Sequence, residues 1–103
     1  MPAGRPDVPP ISSTQLYQNA VSDRLGGKFD LALQEFTDYL KWYSNTDMAP
    51  NAQFYIASIH ASQGDYDNAV KEMKLALAGA PDNTKSALQG MVKRLENKED
   101  INK

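Results

Sequence analysis

His60 is the sole histidine and the chain has no cysteine, so two of the side chains that most often do nucleophilic or metal chemistry are nearly absent. A lone imidazole with no second His or Cys beside it cannot assemble a zinc site. The missing thiols exclude disulfides and thiolate ligands and leave the compartment open. The carboxylates Asp23, Asp30, Glu35, Asp38, Asp65 and Asp67 fall mostly in first turns or on outward helical faces, where they suit the helix dipole. None of them forms a pair isolated in apolar surroundings, the setting acid-base chemistry needs. A nucleophile elbow, a phosphate loop and a dinucleotide fingerprint are missing as well. The expectation is no catalysis, no metal and no cofactor, with His60 lining a core or a groove.

The elements that would hold a binding site are helices. Gly27-Lys-Phe-Asp-Leu-Ala-Leu-Gln-Glu-Phe recurs 37 residues later as Gly64-Asp-Tyr-Asp-Asn-Ala-Val-Lys-Glu-Met. Each glycine sits where one helix must stop and the chain reverse, which favours a residue that tolerates positive φ. Phe29 and Tyr66 open the helices that follow. Ala32 and Ala69 are small where two helices must approach, and Ala20 and Ala57 hold the matching place on the preceding helices. Phe36 and Met73, then Leu40 and Leu77, continue the apolar stripe at helical spacing. Helices are expected at about 13–26, 29–43, 48–63, 66–79 and 85–97. The last has Leu88, Met91, Val92 and Leu95 at helical spacing and reads as a cap over the second hairpin.

Composition bounds the rest. One hundred and three residues allow one domain, and a chain of this size buries only about 60–70% of its unfolded surface. Residues 1–12 read as a proline-rich linker, since Met1 to Pro10 holds four of the six prolines. Residues 13–98 are the folded part, with repeats at about 13–46 and 50–83, and 99–103 read as a frayed tail. The net charge is −2, with 6 basic and 10 acidic residues in 1–83. No basic face is available for phosphate, so nucleic acid is not an expected partner, and a basic protein segment fits better. No apolar run is long enough to span a membrane and no signal-peptide pattern opens the chain.

Gly at the turn, an aromatic two residues on, Ala three later and a large apolar residue four further on resemble the tetratricopeptide repeat. Pro81 falls where that repeat ends its second helix, whereas the first copy has Ser44 there. The family's early Trp is replaced by Leu16 and Gln53, and its Leu-Gly pair by Asn19-Ala20 and Ile56-Ala57. The resemblance implies an all-α fold: a right-handed α-α superhelix of two such hairpins plus a C-terminal capping helix, five helices in all. The structural positions of the repeat are then Ala20, Gly27, Phe29, Ala32 and Phe36 in the first copy, and Ala57, Gly64, Tyr66, Ala69, Met73 and Pro81 in the second. Its groove-facing positions fall at Thr14, Tyr17, Val21 and Arg24, then Asn51, Phe54, Tyr55 and Ser58. Asn51 can satisfy an extended peptide's backbone, and Tyr55 offers apolar area with a hydroxyl. The competing reading is that Tyr17, Phe54 and Tyr55 pack between hairpins. A carboxylate clamp is not expected, since its places hold Tyr17, Val21, Tyr55, Leu88 and Val92. Trp42, with Tyr39 and Tyr43 beside it, is read as covering the turn around Met48 and Ala49 in preference to a partner hot spot.

Read with the connectors Leu16-Tyr-Gln-Asn-Ala, Tyr39-Leu-Lys-Trp-Tyr and Ala49-Pro-Asn-Ala-Gln-Phe-Tyr, the repeats resemble the C-terminal repeat domain of the Tol-Pal-associated cell division coordinators of Gram-negative bacteria. A looser likeness is to the repeat lipoprotein of the outer-membrane β-barrel assembly machine. The first resemblance implies a periplasmic, non-catalytic adaptor whose repeats bind a Tol protein, here as an excised domain or truncated relative. Without it the chain would be a cytoplasmic repeat module. The alternatives are a self-associating structural module, because two and a half repeats fall short of the usual three, and a scaffold like the assembly lipoprotein.

Overall fold

A computed structural model of the chain describes residues 11–99 and 101. It is all-α among those residues, with five helices in order: α1 (Ser13–Leu25), α2 (Phe29–Tyr43), α3 (Ala49–Ser62), α4 (Tyr66–Gly79) and α5 (Asp82–Glu96). Each packs chiefly on its neighbours in sequence, the pattern of a repeat stack. Two hairpins, α1–α2 and α3–α4, are followed by α5 lying on α4.

The core has two centres that share α3. Leu16 and Ala20 of α1, Ala32, Phe36 and Tyr39 of α2, and Ala52, Ile56 and Ile59 of α3 make the first. Ala57 and Ala61 on the other side of α3 meet Ala69 and Met73 of α4 and Val92 and Leu95 of α5 in the second. A helix buried from both sides should be apolar nearly all round, and α3 is. The repeat alanines Ala20, Ala32, Ala57 and Ala69 are fully buried, as close helix approach requires.

Three helices end in one motif. After α1, the Gly27 amide donates to Arg24 O at 3.1 Å and that of Lys28 to Asp23 O at 2.8 Å. After α3, Gly64 donates to Ala61 O at 3.0 Å and Asp65 to His60 O at 2.8 Å. After α5, Lys98 donates to Leu95 O at 2.9 Å and Glu99 to Arg94 O at 2.8 Å. This is the Schellman closure, and it demands a left-handed residue: Gly27 at φ 81°, Gly64 at φ 79° and Lys98 at φ 59°. The loop between α2 and α3 runs over 44–48, whereas only Ala80 and Pro81 join α4 to α5. The three extra residues account for a period above the 34 residues usual for the tetratricopeptide repeat that the chain resembles.

Some boundaries differ from the sequence reading. α5 begins at Asp82 and not at Lys85. Ala80 is extended, as the residue before a proline tends to be, and Pro81 is already the N-cap. Asp82 then stands in the first turn beside the helix dipole, and the Thr84 hydroxyl donates to Pro81 O at 2.9 Å. The linker assigned to 1–12 is shorter at its C-terminal end: Ile11 packs on the first core and its carbonyl accepts from the Tyr43 hydroxyl at 2.6 Å. Ser12 caps α1, accepting from the Gln15 amide at 3.2 Å. Residues 1–10 of that linker lie outside the described residues. Of the tail assigned to 99–103, Glu99 is bonded as above and Ile101 packs on the second core; the other three lie outside the described residues.

The outward faces of α1 and α5 are polar among the described residues. Ala52, Ile56 and Ile59 bury one side of α3 in the first core, and the matching α1 residues are Gln15, Asn19 and Ser22, on which no helix packs among the described residues. There the Gln15 side-chain amide donates to Asn19 Oδ1 at 2.8 Å. On α5, Val92 and Leu95 are buried while Ser86, Gln89, Lys93 and Arg94 are exposed.

Candidate binding groove

Several residues counted into the groove are used by packing between hairpins. Tyr55 stacks on Phe36 with ring centroids 5.0 Å apart, and Tyr17 meets Phe36, Tyr39 and Tyr55 edge-on at 6.0, 5.7 and 6.1 Å. Edge-on and offset contacts are the arrangements that aromatic quadrupoles favour. The Arg24 guanidinium lies 5.3 Å from the centre of the Tyr55 ring, and its Nε donates to Ser58 Oγ at 3.2 Å. Ser58 is buried and its hydroxyl donates to Tyr55 O at 2.8 Å. Val21 is half-buried against the first core. Tyr55, Ser58, Arg24 and Val21 therefore join the first hairpin to α3. Burial and the neighbouring Tyr55 push the Tyr17 hydroxyl up to about 12, so it stays a neutral hydrogen-bonding group.

What remains open lies along the starts of α1, α3 and α5. One depression of about 390 Å³ is lined by Pro50, Asn51 and Phe54 on one side and Pro81, Thr84 and Leu88 on the other. A second, also about 390 Å³, is lined by Thr14, Tyr17, Gln18, Tyr39, Thr46 and Met48. Both have lining residues near the start of α3, where exposed Asn51 interacts with Tyr17 and places its Nδ2 3.6 Å from Met48 Sδ. Phe54 is half-buried, with Tyr55 edge-on to it at 5.7 Å. Apolar side chains share the linings with Thr14, Gln18, Asn51 and Thr84, which supply donors and acceptors, and with the Asp47 carboxylate.

Thr84 falls outside the groove positions counted from the repeat, because α5 reads as a cap, whereas Leu88 holds one of the clamp places. The signal was the helical spacing of Leu88 with Val92 and Leu95. Pro81, expected as a helix breaker, is also a wall. Trp42 is half-buried, outside both core centres, with the Lys41 ammonium 5.2 Å from its ring. The turn is tied by the Tyr39 hydroxyl, 2.6 Å from Thr46 Oγ1, which donates to Tyr43 O at 2.8 Å.

The ionisable groups fall elsewhere. His60 is half-buried at the end of α3, its Nδ1 3.6 Å from Asp65 Oδ2. Hydrogen bonds from Asn68 hold the Asp65 carboxyl below its usual range. Glu35 departs from the outward placement expected for the carboxylates: burial, then Asp23, push it up to about 7. It lines neither depression. No group of three or more His, Cys, Asp or Glu that could hold a metal occurs among the described residues. No helix among them is long and apolar enough to cross a membrane.

No family model matches the chain, and no solved structure matches it significantly. Two curated proteins, both called cell division coordinator CpoB and both from Pseudomonas putida, are 34% identical to it over 65 residues. The match takes in 62% of this chain and 24% of each relative's length.

Proposed function

We propose that the chain is a non-catalytic adaptor that binds a segment of a partner protein along the depressions near Asn51, within a cell-division system linked to Tol-Pal. The observation that carries this reading is the open depression between Phe54 and Leu88, edged by the amide of Asn51 and the hydroxyl of Thr84. Such a surface suits an extended segment, whose backbone pairs with the amide while an apolar side chain enters between the two helices. The likeness to cell division coordinators supports the cellular role, and a periplasmic Tol protein is the partner it favours. Self-association by end-to-end stacking is the weaker reading, because Gln15, Asn19 and Ser22 at one end and Gln89 and Lys93 at the other offer no apolar face.

The test is calorimetric titration of the chain with the periplasmic part of a Tol protein. Asn51→Ala and Leu88→Ala should each weaken binding by about 5- to 30-fold, as central contacts do. Unchanged affinity in both variants would remove the groove from the account.

A further inference from the structure

Glu35 and Glu72 hold the same place in the two copies of the repeat, one in α2 and one in α4. In the second copy the Gln53 side-chain amide donates to the Glu72 carboxylate. The residue matching Gln53 in the first copy is Leu16, a core side chain with no donor. Glu35 Oε1 is correspondingly buried without a hydrogen-bond partner.

What faces the Glu35 carboxyl is further negative charge. Asp23 stands across from it on α1, within hydrogen-bonding reach, and Asp38 lies one turn along α2. Tyr17 of α1 is engaged with Phe36, and Arg24 with Ser58 and Tyr55. From α3, the other helix packed on α2, the titratable groups are Tyr55, stacked on Phe36, and His60, beside Asp65. Two carboxyl groups this close are compatible when one keeps its proton and donates it to the other; both ionised, they repel in a partly desolvated gap.

We propose that Asp23 and Glu35 form a proton-operated clasp between α1 and α2, closed when Glu35 donates its proton to Asp23 and released when both carboxyls are ionised. The direction of its pH dependence follows from the buried, unpartnered oxygen. The Glu35 value rises from 4.5 to about 7 on folding, so between those limits the folded state holds a proton that the unfolded state has lost. The clasp contributes fully at acid pH, and its contribution is lost as pH rises through about 7. The first hairpin is therefore the part of the fold that neutral to alkaline pH loosens.

Two measurements test this. In a carbon NMR titration of the chain, the Glu35 carboxyl should change state near neutrality, and Asp23→Asn should move it back toward the ordinary carboxylate range. In urea unfolding, the unfolding constant of the native chain should rise relative to Glu35→Gln between about pH 5 and about pH 8, by up to about 70-fold for the full shift and by about tenfold or more after solvent screening. The glutamine amide can donate to Asp23 at every pH. A Glu35 carboxyl that titrates with ordinary carboxylates, or parallel pH profiles for the two proteins, would overturn the clasp. Should Glu35→Gln fail to fold, the NMR titration of the native chain decides alone.

Discussion

Replacing Gly64 by alanine isolates one term in the stability of this fold. Gly64 lies at φ 79°, and a Cβ built on it meets nothing within 4 Å, so the substitution adds strain without a clash. Holding an L-residue in the left-handed region costs roughly 1–2 kcal/mol. The lost flexibility of the unfolded chain returns roughly 0.4–1 kcal/mol. The net expectation is a loss of about 1 kcal/mol, or about a fivefold larger unfolding constant. Gly27→Ala should cost the same, since its φ is 81° and its Cβ position is equally open. The two sites lie in different hairpins, so the double variant should lose about 2 kcal/mol. Lys98 already accepts this strain at φ 59°, so Lys98→Gly should be neutral or stabilising by up to about 0.5 kcal/mol, because a terminal cation is lost as strain is relieved. Urea denaturation followed by circular dichroism reads all four. Gly64→Ala with no measurable cost would refute the argument that the turn demands glycine, and a cost above about 3 kcal/mol would mean the open space is wrong.

Phe36 is fully buried between Tyr17 and Tyr55, so Phe36→Ala should cost about 3–5 kcal/mol and leave a chain this small close to unfolded at room temperature; thermal unfolding checks it. Ile56→Asn should destabilise by more than about 2 kcal/mol, because it places an amide in the first core. The matching change Asn19→Ile should leave stability within about 0.5 kcal/mol and instead increase self-association, as sedimentation of the variant would report.

The hairpins were legible in the sequence because their turns leave little choice of residue. A left-handed position with two closing hydrogen bonds selects glycine, and the small, fully buried contacts select alanine, so the duplicated segment marks both. The start of α5 was harder to see. Asp82, Asn83 and Thr84 are as suited to a loop as to a first helical turn, and only the extended Ala80-Pro81 pair puts them in the helix. Groove residues were read by counting positions, and counting cannot tell which aromatic finds a stacking partner. Tyr55 meets Phe36, and Ser58 disappears beneath Arg24, whereas Asn51 and Phe54 stay open. The orphaned oxygen of Glu35 was visible in principle, since Leu16 and Gln53 already differed between the copies. Seeing it required knowing that Gln53 reaches Glu72.

Backbone amide NMR of the labelled chain, titrated with the periplasmic part of a Tol protein, tests the adaptor reading most directly. Binding in the groove should give saturable shifts concentrated at Asn51, Phe54, Thr84 and Leu88, with Gln15, Asn19 and Ser22 unmoved. Shifts confined to the α1 end of the stack, or none at all, would contradict it.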